Sequence, residues 1–295
     1  MIITHLGPSG TYTEQAALFY LQWLRKNWGI EAQLFPYPTI AQSLKAVNEH
    51  NSHIAVVPVE NSIEGSVSMT MDTLWQLDKL QIRLALVLPI IHTLISAASN
   101  LESIQKVYSH PQALAQCQAW LAQYLPNVNL IPSNSTAIAL ETLTLDSTAA
   151  AIASGRAAEL YNLPILASGI NDHPENCTRF WIISQGEDKY NFKNTQHIKD
   201  DIYTNNHTHT SLAFSLPANV PGALIKSLEV FANLGINLSR IESRPTKRYL
   251  GEYLFFLDLE GDIKQPLMQT ALQELSTYTE ALKIFGSYNI LPIST

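Results

Sequence analysis

The stretch "ENCTRFWII", residues 175–183, sets an amide, a thiol, a hydroxyl and a guanidinium directly ahead of an apolar run. It reads either as the mouth of a buried strand or as a working surface. Arg179 carries a rigid fork of donors that suits a carboxylate, and pairing with the nearby Asp172 is the structural alternative. A second loop, "VVPVENSIEGSV" at 56–67, offers Glu60, Asn61 and Ser62 in succession. An acid, an amide and a hydroxyl so placed can meet several polar ligand atoms at once, or they can cap the helix that follows. A third, "YSHPQALAQCQAWL" at 108–121, brings Ser109, His110 and Gln112 to a strand end, with Gln116 four residues beyond Gln112 on the same helix face. His110 reads as an acid or base, or as a hydrogen-bonded loop residue before a proline. No G-x-S-x-G elbow accompanies Ser109, so a Ser/His/Asp triad is not implied.

Two more loops have the chemistry of binding. In "GPSGTYTEQAA" at 7–17, Gly7 and Gly10 let the backbone turn and approach a ligand, and the amides of the following helix start can hold an anion. The plainer reading is a strand-to-helix turn capped by Thr11 or Thr13; the lysine of a phosphate loop is missing. "SNSTAIALE" at 133–141 reads as a capped helix start.

These loops need strands and helices to aim them. Residues 2–183 alternate short apolar runs with helical patterns, which is the rhythm of an α/β sheet whose strand ends collect ligand-binding groups. The run "LALVLPII" at 84–91 is too short for a membrane span and reads as a core strand. From 185 to 209 the composition turns to charge, Asn and Thr with little periodicity, which predicts a solvated linker. Beyond it the order βαββαβ, the split ferredoxin-like plan, is predicted over 210–295, with Pro221 suited to a first helical turn and Gly235 to its stop.

At 295 residues the chain has room for two cores, and 46% hydrophobic with 15% charged residues is the profile of a globular protein. A net charge of -7 without any Lys/Arg run excludes an electrostatic footprint for nucleic acid. The opening "MIITHLGPSG" lacks the basic and long apolar regions of a secretory signal. Cys117 and Cys177 stand alone in unrelated contexts, suggesting neither a disulfide framework nor a zinc site, so a reducing cytoplasm is expected.

Taken in order, "GPSGTYTEQAA", "PVENSIEGSV", "SHPQALAQC", "STAIA" and "NCTRF" resemble the prephenate dehydratase family, and "GAL" with "IESRP" resembles its regulatory ACT domain. Tyr12 and Thr13 stand where that family more often has Phe and Ser. The resemblance implies a two-lobed catalytic domain over 1–184, like type II periplasmic binding proteins, with the site in the cleft. Lobe one would hold residues 1 to about 78 and the return near 165–184. It implies a monofunctional enzyme, with no cofactor, that turns prephenate into phenylpyruvate, water and carbon dioxide. Thr178 would serve the leaving hydroxyl. Asn61, Gln116, Ser109 and Glu60 would join it in catalysis, and Thr11, Ser62, Arg179 and Phe180 would contact substrate. Gly222, Ala223 and Leu224, with Glu242, Ser243, Arg244 and Pro245, would bind phenylalanine as effector, in a homodimer or homotetramer. An arogenate dehydratase and a non-catalytic amino-acid sensor are the alternatives.

Overall fold

A computed structural model describes residues 1–133, 140, 143, 146–186 and 207–293. The first lobe runs β1 (Ile2–Leu6), α1 (Tyr12–Trp28), β2 (Gln33–Tyr37), α2 (Ile40–Asn48), β3 (Ile54–Asn61), the two-residue β4 (Gly65–Ser66), α3 (Ser68–Gln76) and β5 (Leu80–Pro89). The chain then crosses into a second lobe of β6 (His92–Ile95), β7 (Lys106–Ser109), α4 (Pro111–Ala115), α5 (Gln118–Tyr124), β8 (Asn129–Pro132), β9 (Ala149–Ser154), α6 (Gly155–Tyr161) and β10 (Ile165–Ser168). It returns to the first lobe with β11 (Cys177–Gln185). The C-terminal unit is β12 (His209–Ser215), α7 (Ala223–Asn233), β13 (Leu238–Pro245), β14 (Tyr253–Glu260), α8 (Pro266–Ser276) and β15 (Ala281–Pro292), the βαββαβ order expected.

The lobe boundary differs from the expectation. β5 pairs antiparallel with β11 inside the first lobe, whereas β10 pairs with β6 inside the second, so the crossings lie after Pro89 and before Cys177. An apolar run marks a strand but not its partner; here the partner of β5 is almost a hundred residues away and invisible to local pattern. The helix start expected over 133–141 falls, apart from Ser133 and Leu140, outside the described residues, as does most of the linker.

The two sheets are unequal. Five strands in the order β10-β6-β9-β7-β8 form the second lobe, and ten strands form one continuous sheet, β13-β14-β12-β15-β5-β11-β3-β1-β2 with β4 on β3. The continuity comes from β15, which pairs antiparallel with β12 and then parallel with β5 over Asn289–Pro292. Gly286 makes the passage possible: its φ of 125° lies where side chains are strained, and a Cβ there would sit 2.9 Å from the Ile82 carbonyl oxygen. One apolar core therefore serves both units, with Val57, Val59, Trp181 and Ile183 packed with Ala213, Phe256, Phe285 and Tyr288. The opposite face of the first-lobe sheet packs Ile182, Phe180, Val56 and Leu86 against Ala16, Ala17, Tyr20 and Leu24 of α1.

Candidate active site

Side chains alternate across a strand, so neighbouring residues of β11 point to opposite faces of the sheet. Phe180 and Ile182 belong to the core under α1, while Trp181 and Ile183 belong to the core shared with the C-terminal unit. Thr178 therefore shares the α1 side with Phe180, and Arg179 shares the far side with Trp181. Across the ladder Thr178 stands opposite Asn61 and Arg179 opposite Glu60, which splits the polar residues of the two loops into two groups.

The first group is a directed chain of amides. Asn61 Oδ1 accepts from the backbone amides of Ile63 and Glu64, both at 3.0 Å, which fixes the orientation of its carboxamide. Its Nδ2 then donates to Thr178 Oγ1 at 2.9 Å and to Asn176 Oδ1 at 2.8 Å. Asn176 passes a hydrogen bond on through Nδ2 to Gln116 Oε1 at 3.0 Å, and Gln116 Nε2 donates to Glu64 Oε1 at 3.0 Å. Ser62 closes the corner by donating to Asn176 Oδ1 and accepting from the Cys177 amide. Among the described residues no acceptor takes the Thr178 hydroxyl proton, so that proton is free for a ligand.

Gln116 comes from the second lobe, and the chain of bonds thus crosses the cleft. His92 supports it: Nε2 meets Gln116 Oε1 at 2.9 Å, and the other ring nitrogen meets the Tyr12 hydroxyl at 2.9 Å. Because Gln116 Oε1 can only accept, Nε2 carries the proton, and the single Tyr12 hydroxyl proton is shared between His92 Nδ1 and the Ile91 carbonyl at 3.0 Å. Burial lowers the pKa of His92, and burial raises that of Tyr12 well above its usual value. Burial, then the charge of Asp172, pushes the Cys117 thiol up to about 12. All three are neutral at pH 7, and the cleft lining is a set of neutral donors and acceptors with Glu64 at its edge.

The second group faces away. Arg179 forms an ion pair with Glu60 and a second with Asp258 of β14 at 3.2 Å. Its guanidinium is thus spent on the boundary with the C-terminal unit, and the carboxylate clamp expected of it is not at the cleft. Asp172 is not its partner either; that carboxylate caps α5 at the amides of Ala119 and Trp120. Glu60 is held by the Arg179 guanidinium, which favours the orienting role over the acid role. Phe180 is 1% exposed within the core, so it supports the strand from behind and does not line a surface. Ser109 is fully buried, with its hydroxyl donated to the Ile152 carbonyl at 2.6 Å. Thr11 caps α1 through the Glu14 amide, and Glu14 reaches back to the Gly10 amide. His110 caps α4 through the Gln112 amide and takes no part in the chain of amides.

In the C-terminal unit, Gly222 at φ 82° caps α7, which Ala223 and Leu224 open. Glu242 and Arg244 lie on the face of β13 turned to the first lobe, where Glu242 pairs with Arg240 and Arg244 makes a two-pronged pair with Asp72 at 3.1 Å. Ser243 and Pro245 lie on the other, exposed face. Sequence reasoning passed over His92 and Glu64 and gave Asn176 no role. Asn176 stands inside the quoted motif, and His92 is a lone imidazole closing a long apolar run, a signal that was available.

A two-lobed α/β domain with a neutral polar cleft, welded to a ferredoxin-like unit, defines a class of small-molecule enzyme with a built-in regulatory domain. The prephenate dehydratase family model matches residues 3–188 and the ACT domain model residues 210–277. The chain therefore belongs to the prephenate dehydratase family, with an ACT domain at its C-terminal side. It is 41% identical to the bifunctional chorismate mutase/prephenate dehydratase of Aquifex aeolicus over 97% of this chain and 73% of that one. The prephenate dehydratase of Arthrobacter aurescens, solved in complex with L-Phe, superposes with a TM-score of 0.84 at 33% identity, covering 98% of this chain and 90% of that one. GqqA, described as a novel type of quorum quenching acylase, superposes with a TM-score of 0.81 at 28% identity, covering 99% and 98%.

Proposed function

We propose that the cleft converts prephenate to phenylpyruvate, water and carbon dioxide, with Thr178 donating a hydrogen bond to the departing ring hydroxyl. The bond from the ring to its carboxylate breaks, its electrons run through the diene, and the carbon–oxygen bond to the hydroxyl breaks as the ring becomes aromatic. The departing hydroxide takes one proton and leaves as water. The ring accepts its own electrons, so the protein has only to orient a dianion and stabilise charge growing on one oxygen.

The observation that carries this reading is the Asn61 Nδ2 to Thr178 Oγ1 bond of 2.9 Å. Because Thr178 accepts there, its own proton points elsewhere, and a hydroxyl that accepts while it donates is a better donor. Asn61 aims the Thr178 hydroxyl, Gln116 offers a substrate carboxylate the Nε2 hydrogen not given to Glu64, Asn176 fixes both amides, and solvent supplies the proton that completes water. Ser109, Thr11 and Ser62 shape the loops around these groups. An acylase would need a nucleophile or a base free to activate water. His92 is engaged at both nitrogens, which favours the elimination over amide cleavage.

The ACT domain takes phenylalanine as its effector at the start of α7 and the exposed side of β13, and the chain self-associates there as a homodimer or homotetramer. Val220, Ile225, Ile241 and Tyr253 are exposed apolar residues of that unit, which supports self-association. The test is incubation with prephenate and, in parallel, arogenate, following phenylpyruvate and phenylalanine formation. Turnover of prephenate at a far higher kcat/KM is expected. Faster turnover of arogenate reassigns the substrate, and inertness toward both overturns the catalytic reading.

A further inference from the structure

Glu60 and Arg179, each one residue from a cleft donor, are held on their far side by the C-terminal unit. Arg179 meets Asp258 at 3.2 Å; Arg240 of β13 stands 3.8 Å from Glu60, 3.7 Å from Asp258 and 2.7 Å from Glu242. The cluster sets two cations against three carboxylates, and the Arg240 and Asp258 side chains are only 5% and 1% exposed. At such burial, charges separate at high cost, so a displacement of β13 drags β3 and β11 with it or breaks the pairs.

Two atoms of the cluster are incompletely satisfied. Arg240 Nε and Asp258 Oδ2 are buried without a hydrogen-bond partner among the described residues, although an opposite charge lies within 4 Å of each. Buried polar atoms are normally paired, and an exception signals strain or an alternative arrangement. Here the partners are already at hand. A shift of under an ångström of β13 toward the first lobe would turn the 3.8 Å approach of Arg240 Nε to Glu60 into a hydrogen bond.

We infer that this buried cluster is the two-state element through which the C-terminal unit adjusts the cleft. In one state Arg240 Nε and Asp258 Oδ2 stand at ion-pair distance from opposite charges without a hydrogen bond; in the other they hydrogen-bond to Glu60 and to a guanidinium. The change moves Asn61 and Thr178 through their neighbours Glu60 and Arg179. Arg240 and Asp258 are positioning residues that touch no substrate. The sign of the effect follows from which state the effector prefers, and linkage requires that substrate and effector alter each other's affinity. This inference rests on the reading of the C-terminal unit as a phenylalanine-binding domain.

The test uses the full-length chain, with phenylalanine binding measured by calorimetry and kcat/KM measured with and without saturating phenylalanine. The double variant Arg240→Met/Asp258→Asn removes one charge of each sign and keeps the balance of the cluster. It is expected to bind phenylalanine within about threefold of the unaltered protein, while the ratio of kcat/KM without and with effector falls to within about twofold of one. An undiminished ratio overturns the coupling role and leaves the effector reading intact. Absence of phenylalanine binding to the unaltered protein overturns both. Should the double variant fail to fold, Asp258→Asn alone decides: a ratio cut by about threefold or more supports the inference, and an unchanged ratio ends it.

Discussion

Asn61 Nδ2 lies 2.9 Å from Thr178 Oγ1 across the β3–β11 ladder, and backbone amides pin the other end of the Asn61 carboxamide. The direction of that bond is therefore set by the main chain and not by side-chain choice. A threonine held as acceptor by a fixed donor is a donor of fixed aim.

Thr178→Ala is expected to lower kcat by about a hundredfold or more, the usual cost of one preorganised donor at a developing oxyanion. Thr178→Ser keeps the hydroxyl and should retain most of the rate. Steady-state kinetics beside a circular dichroism spectrum checks both; near-normal turnover in a folded Thr178→Ala protein ends the assignment.

Asn176 is 1% exposed and bonded to Asn61, Ser62 and Gln116 at once. Asn176→Ala should cost about 1–3 kcal/mol of stability, because buried partners lose their bonds, and should slow turnover by freeing Asn61 and Gln116 together. Urea unfolding with parallel rate measurements tests this. A stable variant with full activity would show that the chain of amides does not orient the cleft.

At a substrate carboxylate, loss of Arg179 would raise KM. Its pairing with Glu60 and Asp258 predicts otherwise. Arg179→Met should destabilise the fold by about 3–5 kcal/mol through the buried Asp258 carboxylate left behind, with KM little altered in the protein that remains folded. A large rise in KM at unchanged stability would return Arg179 to the substrate.

His5, His92, His207 and His209 all have pKa values lowered from 6.5, and burial is the largest cause for each. The fold favours their neutral form, so on acidification the unfolded chain takes up protons first. Their contribution is complete above the unfolded value of 6.5 and is lost as pH falls from there through the lower folded values. The urea midpoint should hold steady above neutrality and decline from pH 6.5 to 5; a flat profile over that interval contradicts the burial of these rings. Carboxylates act later: Asp146, held at about 2 first by the Thr148 hydroxyl and then by Lys106, stabilises the fold above its usual value of 3.8, and that stabilisation is lost only as pH falls from there toward 2.

Gly286→Ala places a side chain at φ 125° and against the Ile82 carbonyl oxygen. A loss of about 1–3 kcal/mol or more is expected from backbone strain alone. It should appear in denaturant unfolding together with weakened joining of the two units, seen as faster proteolysis between them. An unaffected midpoint would mean that β15 does not need this bend.

Much of this protein was legible in local residue order. The alternation of apolar runs and helical patterns announced an α/β domain, Gly235 marked the stop of α7 while Pro221 fell ahead of its cap Gly222 and not in its first turn, and the ordered loops pointed to the family. These features depend on neighbours a few positions apart, and short-range sterics and periodicity decide them. Which face each side chain serves is a different matter. Thr178 and Arg179 are adjacent in sequence, yet one looks toward the cleft and the other toward a buried ion cluster. That split exists only because β11 is sandwiched between β3 and β5, with the C-terminal unit packed on one side. Likewise Gln116 became the shared partner of His92 and Asn176 through a lobe crossing whose position no local pattern records. Strand pairing and ion pairing join residues as distant in sequence as Asn61 and Thr178 or Glu60 and Arg179, and their energy comes from excluding water between surfaces that meet only after the chain has folded.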